Sequence, residues 1–270
     1  MTGLLLSLLL AAHEDLELQI ARLTEKIRAN PSDGALHLRR AELHRLHEDA
    51  AAARADYLKA RSLDPSLARV DLGLGRLELA AGRAEAALRH LEAYVAARPD
   101  DPTGRLERAR AHAALGAWQR SKADYGEALA RMPDAAPDVH VERVRALRAA
   151  DGHAAAMAAL DEAIGRFGPL VTLLSEAVDA EVAAGRLEEA LRRIDRALEV
   201  VGRKDRWLLR RGGILERLGR RDEARAAYAT ALREIEALPA ARRRARETQA
   251  LESDLRARMR SDEPVSEDKR

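Results

Sequence analysis

Residues 65–99 read PSLARVDLGLGRLELAAGRAEAALRHLEAYVAARP. Two prolines bound this stretch 34 residues apart, and the same step leads back to Pro31 and on to Pro133. Gly82 divides it into two runs of helical length. Glycine suits the left-handed site that ends a helix and proline cannot continue one, so the stretch reads as helix, tight turn, helix, stop. A fixed period between about 20 and 50 residues marks a stack of like units that bury their core against one another.

Other positions keep the same phase. With the closing proline as position 32, units start at Gly34, Ala68, Pro102, Pro137, Val171 and Asp205, with one single-residue slip in the linker Asp134 to Pro137. Position 20 is Ala53, Ala87, Ser121, Ala156, Ala190 and Ala224; position 27 is Ala60, Tyr94, Ala128, Ala163, Ala197 and Ala231. Position 24, on the same helical face, is large and apolar: Tyr57, Leu91, Tyr125, Leu160, Ile194 and Tyr228. Position 15 reads Glu48, Gly82, Gly116, Asp151, Gly185 and Gly219, residues expected at the turn. Small side chains at 20 and 27 let two helices approach while position 24 fills the space between them, which predicts an all-α array of helical hairpins.

On these residues the chain resembles a tetratricopeptide repeat (TPR) protein, whose unit is a 34-residue helix-turn-helix with small residues at 8, 20 and 27 and proline at 32. The likeness runs over six units, from residue 34 to about residue 236. Leu74 and Gly75 keep the family's residues at 7 and 8, and Ala41, Ala109 and Gly212 keep position 8 small. Position 4, usually aromatic in the family, is His37, Asp71, Arg105, His140, Leu174 and Leu208. The resemblance implies a right-handed superhelical solenoid of antiparallel helix pairs with capping helices, serving as a scaffold that binds a protein or peptide in its concave groove, without catalysis or cofactor. The layout expected is an apolar segment at 1–12, an N-terminal capping helix or degenerate repeat at 13–33, six units at 34–237, a C-terminal capping helix at 238–260 and a disordered tail at 261–270.

Composition agrees with such an array. Hydrophobic residues make up 47% of the chain but aromatics only 3%, so alanine-sized contacts repeated many times carry the packing. A formal net charge of +2 gives no global field that points to nucleic acid. With no cysteine there is neither disulfide nor thiolate chemistry. Gly73 and Gly75 begin a dinucleotide-binding pattern, but Glu78 stands where its third glycine belongs, and no phosphate loop, nucleophile elbow or zinc-protease motif occurs.

The termini depart from the repeat. Leu4, Leu5, Leu6, Leu8, Leu9 and Leu10, followed by Ala11 and Ala12, form an apolar run too short to span a bilayer but suited to the core of an export signal, for periplasmic or secreted delivery. A hydrophobic cap on the first hairpin of a cytoplasmic protein is the competing reading, since no cation precedes the run. Leu16, Ile20, Leu23 and Ile27 then share a helical face. At the other end Ala241, Ala245, Thr248, Leu251, Leu255 and Met259 form a stripe for a capping helix. Its many arginines raise a second reading, nucleic-acid or anionic-surface binding, against which Glu247, Glu252 and Asp254 are interleaved.

Histidines and arginines are the remaining candidates. His37 and His140 fall at position 4, and His44 and His112 at position 11, so they read as stand-ins for packing aromatics in preference to a metal site. In the family, positions 2, 5, 6, 9, 12 and 13 face the bound peptide. Position 9 is Glu42, Arg76, Arg110, Arg145, Asp179 and Gly213, an arginine in three successive units. Arg39, Arg45 and Arg148 point the same way, with Glu107 and Glu142 as counter-charge. Guanidinium groups bind carboxylates through paired hydrogen bonds, so these residues suggest a groove for an acidic or carboxylate-bearing segment. The plainer alternative is an internal salt-bridge network with Glu107 and Glu142.

Overall fold

In the computed structural model residues 2–261 are described, with side chains from residue 15 to residue 260; the side chains of the run Leu4–Ala12 and the tail 262–270 lie outside the described residues. Fifteen helices and no strand occur among them. Residues 1–135 form one compact unit and residues 136–270 another. The first holds α1 (Thr2–Ala29) and three hairpins: α2 (Gly34–Leu46) with α3 (Ala50–Leu63), α4 (Arg69–Ala80) with α5 (Ala84–Ala97), and α6 (Pro102–Ala114) with α7 (Trp118–Ala130). The second holds α8 (Pro137–Asp151) with α9 (His153–Phe167), α10 (Val171–Ala183) with α11 (Leu187–Val200), α12 (Asp205–Arg217) with α13 (Arg221–Glu236), then α14 (Ala240–Arg243) and α15 (Arg246–Ser261).

Local chemistry sets the helix ends. Asp33 caps α2 by accepting from the Ala35 and Leu36 amides, and Asp101 caps α6 by accepting from Thr103 ahead of Pro102 in the first turn. At the hairpin turns Gly82, Gly116, Gly185 and Gly219 hold φ between +69° and +74°, and Glu48 takes the same left-handed conformation at +63°. The fourth hairpin corrects the sequence reading: α8 continues through Asp151, and Gly152, at φ +88°, makes the turn one residue later. A residue without a Cβ adopts that conformation freely, so the helix ends at the glycine.

The hairpin cores follow the expected phase. All six side chains at position 20 are fully buried, and those at position 24 are at most 2% exposed. Position 8 approaches so closely that a Cβ added at Gly75 would stand 2.7 Å from Leu91, and one added at Gly212 would overlap the Tyr228 ring. Leu255 and Tyr228 are both fully buried in one apolar cluster, so α15 covers the open side of the last hairpin. The expected single C-terminal helix is two: Ala241 and Ala245 are exposed, and the buried stripe begins at Thr248. Thr248 also accepts a hydrogen bond from Arg203 Nη2 at 3.0 Å, fixing the helix that α14 fails to continue.

The histidines divide. His140 packs edge-on against Phe167, ring centroids 4.9 Å apart, as a stand-in aromatic should. His37 and His112 instead face carboxylates: His37 Nδ1 is 3.1 Å from Asp56, and His112 Nε2 is 3.8 Å from Asp124. Arg40 and Arg108, at position 7, each grip the same aspartate with two hydrogen bonds of 2.6–2.8 Å. Burial works against the Asp56 charge, but the bonds from Arg40 and His37 outweigh it and hold the carboxyl below its usual range. These histidines therefore serve a polar network between the two helices of a hairpin.

Gly212→Ala should lower stability by about 1–3 kcal/mol through overlap with Tyr228, whereas Gly126→Ala, with open space at its Cβ, should raise it by about 0.5–1 kcal/mol. Opposite shifts of Tm in thermal unfolding are the expected result. Burial pushes the pKa of His112 and His140 below the usual 6.5. The unfolded chain then binds more protons, so the stability they contribute is present above that pH and declines as pH falls through the lower folded pKa. Replacing His140 with Phe should flatten the Tm-versus-pH curve as pH falls below about 6.5.

Candidate functional site

In each unit the first helices of successive hairpins present positions 2, 5, 6 and 9 to one side, and each unit has a groove there. The first, about 670 Å³, is lined by α1, α2, α4 and the start of α6. Leu23, Leu38, Leu43 and Leu72 give it an apolar floor. Five cations border it, Arg22 and Lys26 from α1, Arg39 from α2, and Arg69 and Arg76 from α4, against two acids, Glu42 and Asp101. The charged groups of Arg22, Lys26 and Arg39 have no partner among the described residues, and all three side chains are exposed.

The two acids are engaged within the wall. Tyr57 donates to Glu42 at 2.7 Å, and Arg45 donates to the other oxygen of Glu42 from Nε and Nη2, both at 3.1 Å. Burial, then the Glu42 charge, pushes the Tyr57 phenol far up. Tyr94 hydrogen-bonds to Asp101; burial and that bond push the phenol up to about 12. Burial would raise Asp101, but bonds from Tyr94 and Thr103 prevail and keep it ionised at a lower pH than usual. The Glu42 charge is answered by Arg45, whereas Asp101, bonded by neutral groups, keeps its charge and answers Arg69; the rim stays cationic through Arg22, Lys26 and Arg39.

The arginines at position 9 have a second task. Arg76 Nε donates to Glu107 Oε1 at 2.8 Å, and Arg110 Nη1 to Glu107 Oε2 at 3.2 Å. Arg145 donates from Nε and Nη2 to Glu176 Oε2 at 3.0 and 2.8 Å, while Arg148 Nη1 stands 3.8 Å from Oε1. Glu107 and Glu176 sit at position 6 of the following hairpin and are only 6% and 5% exposed. The same tie recurs with reversed sign, Arg210 Nη2 donating to Asp179 at 2.7 Å. Residue 9 of one hairpin thus answers residue 6 of the next, and a buried carboxylate is tolerated because guanidinium groups meet it.

The second groove, about 340 Å³, lies between α8 and α10. Asp138, Glu142, Glu176 and Asp179 line it together with Arg145 as the one cation. The residues singled out from sequence are therefore divided: Arg39, Glu42 and Arg76 share the first groove, and Arg145 lies in the second. Arg45 braces Glu42, Arg110 shares Glu107, and Arg148 flanks Glu176. Arg22, Lys26 and Arg69 were missed. Arg69 occupies position 2 and was within reach of the repeat numbering, but the α1 cations stand outside the numbered units.

Arg145→Ala should lower stability by about 1–3 kcal/mol, because it strips the hydrogen bonds from a buried carboxylate. Arg39→Ala should stay within about 0.5 kcal/mol of the parent. Thermal unfolding of the two variants side by side checks the distinction.

Similarity to known proteins agrees with the architecture. No curated protein matches the chain in sequence. Among solved structures, YrrB, described as a TPR protein with an unusual peptide-binding site, is 17% identical with a TM-score of 0.57, over 66% of this chain and 91% of its own. A tetratricopeptide repeat protein from Parabacteroides merdae is 14% identical with a TM-score of 0.60, over 91% and 94%. MamA is 18% identical with a TM-score of 0.56, over 63% and 92%. At such identities the likeness concerns the fold. A family model described as tetratricopeptide repeat matches residues 72–140 and 175–242, together half of the chain. With the paired helices, the small residues at their crossings and the groove-facing register, this match makes the chain a member of the tetratricopeptide repeat family.

Proposed function

We propose that the chain is a non-catalytic scaffold whose first unit holds an acidic segment of a partner protein. The observation that carries this is the groove of α1, α2 and α4: an apolar floor of leucines beneath Arg22, Lys26 and Arg39, none of which has an internal counter-ion among the described residues. Unpaired guanidinium and ammonium groups at the rim of an apolar trough favour a ligand that carries both carboxylates and apolar side chains. The peptide-binding site ascribed to YrrB is consistent with such a use of this fold. Arg76 joins the rim while tied to Glu107, so it contributes less than the three free cations.

The Arg-rich C-terminal helix supports an anionic-surface reading less well. Arg256 pairs with Glu252 at 2.6 Å, and Arg258 pairs with both Asp254 and Glu216 at 3.1 Å. No described helix is long and apolar enough to cross a membrane. We further read Leu4–Ala12 as an export signal; intact mass of protein from the native host should then show residues 1–12 removed.

A labelled peptide alternating Glu and Leu, titrated into the full chain and followed by anisotropy, should bind and weaken as salt rises. Arg22→Glu combined with Arg39→Glu should reduce its affinity at least about tenfold with little change in Tm. Equal affinity for parent and variant would sink the proposal.

A further inference from the structure

With Pro31 as position 32, α1 numbers as the second helix of a unit, and no first helix pairs with it among the described residues. Gln19, Arg22, Leu23 and Lys26 then hold positions 20, 23, 24 and 27. In the six hairpins the side chains at 20 and 24 are buried between the two helices. In α1 Gln19 and Leu23 are only half-buried, and all four residues line the first groove. The face that a second helix offers to its own hairpin partner is here the wall of an open trough. A capping helix needs no more than a wet outer side. This face instead joins Leu23 to Arg22 and Lys26, which, like Arg39 of α2, have no counter-ion among the described residues.

The complete hairpins show what such a face takes. A first helix approaches with a small residue at position 8 over position 24, as Gly75 does at Leu91 and Gly212 at Tyr228. In the first and third hairpins it also ties position 7 to position 23, Arg40 to Asp56 and Arg108 to Asp124. Position 23 of α1 is Arg22, so the same tie stands there with its sign reversed and its acidic half missing.

We propose that the first groove seats an acidic amphipathic helix of a partner protein, which packs against α1 as the missing first helix of its hairpin. The inference rests on the acidic-segment reading of this groove and adds the form of the ligand. An aspartate or glutamate of that helix meets Arg22, the small residue that follows it lies over Leu23, and acids one turn away reach Lys26 and Arg39. In an extended chain consecutive side chains point to opposite faces, so neighbours could not meet both Arg22 and Leu23; on a helix they can, as positions 7 and 8 do in the hairpins. Gln19 and Lys26 stand where most hairpins hold alanine, which keeps the seat polar enough to stay open in water. First helices in this chain run from 12 to 15 residues, and the ligand has that length. A helix so short is marginal alone in water, so it forms as it binds.

The test uses the full chain and labelled peptides of Ala, Leu and Glu, 13 residues long like α2 and followed by anisotropy. One peptide spaces its leucines for a helix and carries glutamate at its seventh and alanine at its eighth position; a second, of the same composition, alternates acidic and apolar residues. The helical peptide should bind at least about tenfold more tightly than the alternating one, and a proline at its centre should remove the advantage. Far-UV circular dichroism should show helix gained on binding. The Arg22→Asp chain, at unchanged Tm, should reverse the preference at the seventh position and take arginine there over glutamate. Equal affinity for the helical and proline-bearing peptides, or binding without a gain of helix, overturns the helical seat. Tight binding of the alternating peptide would then leave the acidic-segment reading standing, whereas binding of neither acidic peptide overturns both.

Discussion

Every hairpin in this chain depends on the close approach of two helices across side chains no larger than alanine or serine at position 20, with one large apolar residue at position 24 filling the space beside them. Dispersion and apolar burial are short-ranged, so a single added methyl at such a crossing forces the helices apart. Gly212 beneath Tyr228 and Gly75 beneath Leu91 show how little room is left. The rest follows from this spacing. The second helix of each hairpin is committed to the core, which leaves positions 2, 5, 6 and 9 of the first helix turned to the groove.

Apolar contacts made largely of alanine are small, and polar ties supplement them. Within the first and third hairpins an arginine at position 7 grips an aspartate at position 23 through two hydrogen bonds. Between hairpins, position 9 meets position 6, as in Arg76–Glu107, Arg145–Glu176 and Arg210–Asp179. Arginine suits both tasks because its planar fork presents paired donors to one carboxylate. An arginine already engaged in such a tie has less to offer a ligand, so the abundance of arginine is a poor guide to where a ligand binds.

The two units share one geometry but differ in how far their groove charges are answered from within. Around the first groove Arg22, Lys26 and Arg39 have no internal partner among the described residues, while around the second Glu176 is held by Arg145 and flanked by Arg148, and Asp179 accepts from Arg210. The charge a groove offers is what remains after the internal ties are made. That remainder is positive at the first groove, although the chain as a whole is close to neutral.

The period of Pro31, Pro65, Pro99 and Pro133, with small residues at 20 and 27, determined the fold by itself, because helix ends and helix crossings are local requirements that particular residue types satisfy. Which positions turn to the groove came from the family resemblance, with the numbering assigning residues to them. The numbering misplaced the fourth turn by one residue, since periodicity assigns Asp151 while backbone sterics prefer Gly152. It read His37 and His112 as packing residues because the aspartates facing them lie on the partner helix, at a sequence distance the repeat numbering does not weigh. Only the tertiary structure decided which arginines are free: Arg76, Arg110 and Arg145 look alike in sequence, yet each meets a buried carboxylate one hairpin on or one turn away. Likewise, only packing brought Arg22 and Lys26 of α1 beside Arg39. Charge pairing depends on distances of a few ångströms between separate helices, and those distances are set once the helices have stacked.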